Sequence, residues 1–218
     1  MTPEQILLAL APVAYLIGSI PFGLVVALSR GVDPRKAGSG NIGATNIGRL
    51  LGAKYFVIVF LLDLLKGAVP TAAAGAVINF RANDRATCLL WMLVALSAIL
   101  GHVFSLFLKF RGGKGVATSA GAILGIFPYM TLPACAAVVV FVAVFLLTRY
   151  VSVASMIGSS AIPIAYAWIG YVLGWPMLGA QLPLLIFSIL VPVMIVYKHR
   201  GNIARLRAGT ENRFGRKK

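Results

Sequence analysis

Three short stretches carry the residue types that chemistry needs. They are Gly38-Ser39-Gly40-Asn41-Ile42-Gly43-Ala44-Thr45-Asn46-Ile47-Gly48-Arg49, then Gly101-His102 through Lys109-Phe110-Arg111-Gly112-Gly113-Lys114-Gly115, then Lys198-His199-Arg200-Gly201-Asn202 onward to Glu211. In the first, the glycines let backbone approach a ligand closely. Ser39, Asn41, Thr45 and Asn46 add short hydrogen-bonding side chains, and Arg49 offers a bidentate fork. In the second, Gly112-Gly113-Lys114-Gly115 directly precedes an apolar run. The free N–H groups of a helix's first turn, its positive dipole end and Lys114 would together cradle an anion. In the third, His199 and Asn202 stand three residues apart, so one helical turn aims both at the same point. This is phosphate-holding chemistry.

Competing readings of the same residues stay open. Gly38-x-Gly40-x-x-Gly43 matches a dinucleotide-binding pattern, with Asp63 about twenty residues on, but an apolar helix rather than a strand precedes it. The first island is also readable as a turn-rich loop. The second is no Walker A loop, because Leu108 replaces the first glycine and Gly115 the Ser/Thr. Lys109 and Arg111 suit topology anchors as well as ligand contacts. His102, about two turns inside an apolar run, is either a helix-facing histidine or a ligand contact. Asp63 and Lys66 sit three residues apart on one helix face, the spacing of an intramembrane ion pair that holds helices together. Ser152 is either a helix N-cap or a donor to ligand. Glu211, the tail's only acid, reads as a structural partner for one of its cations; Arg200, Arg205, Arg207, Arg213, Arg216, Lys217 and Lys218 read as membrane-surface residues. His102 and His199 are followed at the fifth position by Phe107 and Ala204, so the His-x4-Asp pair of common coenzyme-A-dependent acyltransferases is absent. No Gly-x-Ser-x-Gly elbow and no Asp-rich pattern of cytidine-diphosphate-alcohol enzymes is present.

The elements that must position these residues are membrane helices. Of 218 residues, 60% are hydrophobic and 11% charged, with mean hydropathy +0.92. Seven apolar segments follow: about 6–28, 55–78, 86–108, 116–127, 132–147, 153–173 and 182–196. Five spans is the competitor, with 116–147 as one broken element. Seventeen of the twenty Lys and Arg fall in the loops 30–54, 109–114, 149 and 198–218; Arg81 and Arg85 fall outside, and Lys66 within a span. That bias predicts an N-terminus out and a C-terminus in, which puts all three islands on the cytoplasmic side. The expected fold is an all-α polytopic integral membrane protein of about seven transmembrane helices, a single 1–218 domain. The net charge of +15 lies at the ends of apolar runs, which suits anionic lipid head groups rather than nucleic acid. The start Met1-Thr2-Pro3-Glu4 lacks the positive region of a cleavable signal, so the first run reads as a retained helix. Cys88 and Cys135 lie in apolar segments and argue against a disulfide or zinc site; the five scattered acids offer no metal centre.

The three islands, in order and over nearly the whole chain, closely resemble the signature motifs of the bacterial acyl-phosphate:glycerol-3-phosphate acyltransferases. The matching stretches are Ser39-Gly40-Asn41-x-Gly43-Ala44-Thr45-Asn46 with Arg49, Gly101-His102-x-Phe104 with Lys109-Phe110-x-Gly112-Gly113-Lys114-Gly115-Val116-Ala117, and His199-Arg200-x-Asn202-Ile203-x-Arg205-Leu206 with Gly209-Thr210-Glu211. Asp63-x-x-Lys66-Gly67 and Arg149-Tyr150-Val151-Ser152 fit as well. The resemblance implies a seven-span bacterial inner-membrane enzyme with its active site at the cytoplasmic face. It would transfer a fatty acyl group from acyl phosphate to the 1-hydroxyl of glycerol 3-phosphate, releasing inorganic phosphate and lysophosphatidic acid. On that footing Ser39, Arg49, Lys114, Ser152, His199 and Asn202 are the expected catalytic set. Asn41, Thr45, Asn46, His102, Gly112, Gly113 and Gly115 are the expected substrate-binding set, with Asp63, Lys66 and Glu211 structural. Arg49 and Lys114 would neutralise phosphate, and His199 and Asn202 would orient glycerol 3-phosphate. No cofactor or metal is implied, and a monomer among membrane lipids is expected. Direct transfer without an acyl-enzyme follows from the activated donor and the lack of a Ser-His-Asp set; the proton acceptor is the donor's phosphate or His199, with the phosphate favoured. The rivals are a transporter of an organic phosphate and a non-catalytic lipid-binding scaffold.

Overall fold

Helices account for every regular element among the described residues, 1–82 and 84–214, of the computed structural model of this chain. The tail cations Arg216, Lys217 and Lys218, expected at the membrane surface, lie outside the described residues. Helix α1 (Pro3–Ser19) opens with a capping box, Thr2 and Gln5 each satisfying the other's backbone N–H. Pro21 then breaks the first apolar run, because it has no N–H to donate, and α2 (Phe22–Leu28) follows. Helix α3 (Ala44–Leu51) sits in the first island, and α4 (Ala53–Val77) and α5 (Arg85–Val103) are the next two long helices. A single 3-10 turn (Leu106–Leu108) precedes the second island, and α6 (Val116–Gly125) follows it. Then come α7 (Thr131–Thr148), α8 (Val151–Val172), α9 (Leu182–Lys198) and α10 (Arg200–Arg207).

All seven expected apolar segments contain a helix. By length and composition, five stretches among the described residues suffice to cross a membrane: 3–28, 53–77, 85–108, 131–148 and 151–172. The bent pair α9 and α10, at 53° to one another, adds a sixth. Helix α6 has only 10 residues, about 15 Å of rise against a hydrocarbon core of about 30 Å.

The chain forms two compact units. The first comprises Met1–Arg81 and Leu90–Phe127, the second Ala82–Leu89 and the residues from Pro128 onward. In the first unit, α4 and α6 approach backbone to backbone: a methyl built on Gly67 would overlap the Thr118 carbonyl, and one built on Gly121 the Leu64 carbonyl. Small residues permit such contact where lipid supplies no hydrophobic drive for helix association. Helices α1 and α5 do the same, Gly18 lying on the Ala98 carbonyl and Gly101 on that of Tyr15. Ala27, Ala44, Ile47 and Val59 make a small core beneath α3. In the second unit, α8 packs on both α7 and α9, with Gly158 against Phe141 and the Ala137 carbonyl. A ring pair joins Phe214 of the tail to Phe145, and Phe214 N–H donates to the Arg149 carbonyl at 2.8 Å.

Candidate active site

The first island folds around one buried amide. Asn46, 2% exposed, accepts from Ser39 N–H at 2.8 Å and donates to the carbonyls of Asn41, Pro34 and Ala37 at 2.8, 3.2 and 3.2 Å. Expected at the substrate, Asn46 is committed to the loop's own backbone. Asn41 Oδ1 accepts from Gly43 N–H at 2.8 Å, closing a tight turn into α3. Gly38, at φ +62°, comes so close that any side chain would overlap Asn46 Oδ1. Helix α3 then buries Ala44 and Ile47 and turns the opposite face, with Arg49, outward. Ser39 and Thr45 remain half-buried beside it. Upstream in the same loop, Arg35 pairs with Asp33 at 2.8 Å and holds its carboxyl down at about 2.

The second island folds back on the end of α5. That helix stops at Val103, so His102 sits in its last turn, while the apolar stretch that contains it continues to Leu108. Gly112 N–H donates to the Val103 carbonyl at 3.2 Å and Gly113 N–H to that of His102 at 3.0 Å. Lys109 and Phe110 take left-handed conformations (φ +50° and +62°) to make this return. Tyr15 and Ser19 of α1 pin the loop, accepting or donating at Phe104, Ser105 and Leu106. Gly115, at φ +83°, caps α6 without any side-chain hydrogen bond, and Lys114 precedes it. Behind the loop, Asp63 and Lys66 form their ion pair at 2.8 Å, both almost wholly buried. Lys66 also donates to the Ile20 carbonyl at 2.8 Å, and His102 Nδ1 stands 3.6 Å from Asp63 Oδ1.

The third island centres on Glu211. Its buried carboxylate accepts from Asn202 Nδ2 at 2.6 Å, Ser152 Oγ at 2.8 Å and Arg205 Nε at 2.8 Å. Burial pushes this carboxyl up, but the hydrogen bonds of Asn202, Ser152 and Arg205 outweigh it and hold it below the usual range. Ser152 is not an N-cap: Tyr150 holds that position in α8, and Ser152 points its hydroxyl at Glu211. Arg205, assigned above to the membrane surface, is Glu211's ion-pair partner instead. His199 occupies the bend between α9 and α10, its Nδ1 2.7 Å from the Ile195 carbonyl. That contact selects the Nδ1–H tautomer and places the neutral ring's lone pair on Nε2. Among the described residues, no three His, Cys, Asp or Glu side chains gather as a metal site requires.

Two groups of sequence-predicted residues are thus gathered: Asp63, Lys66, His102 and Gly113 in the first unit, and Ser152, Asn202 and Glu211 in the second. The role of the Ile20 carbonyl and of Tyr15, Ser19 and Ser105 was not foreseen, and no local pattern announces it.

A family model described as "Glycerol-3-phosphate acyltransferase" matches residues 8–209. The chain is 43% identical to the glycerol-3-phosphate acyltransferase of Geobacter sulfurreducens over 95% of its length and 97% of the relative's. It is 45% identical to that of Solidesulfovibrio magneticus, covering 90% and 89%. A crystal structure of PlsY (YgiH), an integral membrane glycerol 3-phosphate acyltransferase in its glycerol 3-phosphate form, superposes with TM-score 0.81 at 40% identity, covering 96% of each chain. The lysophosphatidic acid form of that enzyme gives 0.79, also at 40% identity, over 96% and 95% of the chains. This chain therefore belongs to the glycerol-3-phosphate acyltransferase family and is an integral membrane acyltransferase.

Proposed function

We propose that this enzyme takes its acyl group from acyl phosphate and passes it directly to the 1-hydroxyl of glycerol 3-phosphate. The hydroxyl oxygen bonds to the acyl carbon, the carbon–oxygen bond to phosphate breaks, and the hydroxyl proton leaves on that phosphate. Acyl phosphate is an activated anhydride, so proximity and charge stabilisation suffice and no nucleophile is needed. Both substrates are anionic. Arg49 and Lys114 neutralise phosphate, and Ser39, Thr45 and the N–H groups of the first turn of α6 add donors. His199 and Asn202 orient glycerol 3-phosphate, with Ser152 and Glu211 bracing Asn202. The His199 Nδ1 faces a carbonyl rather than a carboxylate, which favours the donor's phosphate as proton acceptor. The enzyme works as a monomer without cofactor or metal. It spans the bacterial inner membrane with its N-terminus out, and the reaction takes place at the cytoplasmic face.

The observation that carries this reading is the Gly112–Gly115 loop. It is tied back to α5 by two backbone hydrogen bonds and delivers Lys114 beside a helix start that no side chain caps. The test is purified enzyme in detergent, given glycerol 3-phosphate with either palmitoyl phosphate or palmitoyl-coenzyme A, no metal added. Phosphate release and lysophosphatidic acid should appear with the first donor alone. Turnover with the thioester only, or an acylated protein mass during turnover, would overturn it.

A further inference from the structure

We propose that His102 is a positioning residue, and that Asp63, Lys66 and His102 act as one buried strut setting the place of the Gly112–Gly113 loop. This rests on the reading of that loop as the phosphate cradle. Every link of the strut lies in the first unit. It begins at the Ile20 carbonyl, in the break between α1 and α2, where Lys66 Nζ donates at 2.8 Å. It runs through the Lys66–Asp63 pair of α4 at 2.8 Å. It reaches α5 where His102 Nδ1 stands 3.6 Å from the same Asp63 oxygen. The far side of the imidazole then abuts the loop: a methyl built on Gly113 would overlap His102 Nε2. The His102 carbonyl meanwhile accepts from Gly113 N–H at 3.0 Å. One residue thus holds the loop twice, by its backbone and by the Nε2 edge of its ring.

Three ionisable side chains buried among membrane helices are expensive to keep, so some task must retain them. Helix cohesion alone does not need a ring in van der Waals contact with a glycine. The contact fixes how near the loop approaches α5, and with it where Lys114 and the first turn of α6 stand. A misplacement of about 1 Å in such a frame costs on the order of 10²-fold in rate. The two glycines differ in what they touch. Gly113 meets the His102 side chain, whereas a methyl on Gly112 would overlap the His102 carbonyl, which no side-chain change removes.

That difference makes the test. Gly113→Ala, Gly112→Ala and His102→Ala are assayed singly, and each glycine variant is combined with His102→Ala, in purified full-length enzyme. KM and kcat are measured for both substrates, with melting temperature alongside. Gly113→Ala should lose roughly 10²-fold in kcat/KM, chiefly through KM. His102→Ala should lose about tenfold, and the Gly113→Ala/His102→Ala pair no more than His102→Ala alone, because the methyl then has room. Gly112→Ala should stay impaired in both backgrounds. Losses that simply multiply for Gly113, or equal relief at Gly112, would sink the proposal. Should His102→Ala prove too unstable to purify, the shorter His102→Asn serves the same comparison. Wild-type enzyme inert toward palmitoyl phosphate would instead count against the donor assignment. The coupling is then read from inorganic phosphate binding to the same variants, where its presence upholds the strut and its absence overturns it.

Discussion

Glu211 shows how much one tail residue can organise. Three donors converge on it, and two of them, Ser152 and Asn202, are residues expected at the reaction. Hydrogen bonds to a buried charge contribute about 1.5–3 kcal/mol each. Glu211→Gln keeps the shape but removes the charge and gives Asn202 an amide that must reorient. We expect a loss of several degrees in melting temperature and at least tenfold in kcat/KM, measured in detergent. The pH dependence has a definite sign. Because the folded carboxyl titrates below its ordinary range, its stabilisation is complete above about pH 4.5 and fades as pH falls through the lowered value. Wild-type melting temperature should therefore drop more steeply than that of Glu211→Gln on acidification below about 4.5; parallel curves would refute it. The sequence placed Asp63 and Lys66 together because they are three apart on one helix. It could not place Ser152 with Glu211, which are 59 residues apart, nor His102 against Gly113, since neither contact leaves a local periodicity.

At the scale of elements, apolar run length marked where every long helix lies. It missed the break at Pro21, which hydropathy averages over, and it did not show that the third span, 85–108, passes from α5 into a 3-10 turn before its end. Leu106, Phe107 and Leu108 are apolar enough to read as span, yet all are exposed or half-exposed in a turn. The depth of packing between α4 and α6 was also invisible, because a glycine's neighbour is set by the fold and not by its own sequence. That packing yields a prediction. Gly121 faces the Leu64 carbonyl and the Ala68 amide of α4 with no room for a methyl. Gly121→Val must push α6 outward and pull on Gly115, the N-cap of α6. Overpacking of this kind costs about 1–3 kcal/mol, so the variant should melt lower and lose activity together. A variant that melts like wild type would show that the two helices are not so closely apposed.

For the whole molecule, charge and activity make one joint demand. The roles proposed for Arg49, Lys114 and His199 require that the loops carrying them open to one aqueous compartment. Sixteen of twenty Lys and Arg lie in those loops and the tail, and such an excess of cations in short loops favours retention in the cytoplasm. Reporter cysteines test this in a background of Cys88→Ala and Cys135→Ala, which removes both native thiols. Thr2, Lys36, Arg111 and Arg213 are all exposed and suit single cysteine substitution. A membrane-impermeant maleimide should label Thr2→Cys in intact cells. The other three should react only after the membrane is permeabilised. Labelling of Arg111→Cys in intact cells would put the Gly112–Gly115 loop outside, away from Arg49's loop. The shared-compartment demand would then fail, and with it the assignment of both cations to one pair of substrates.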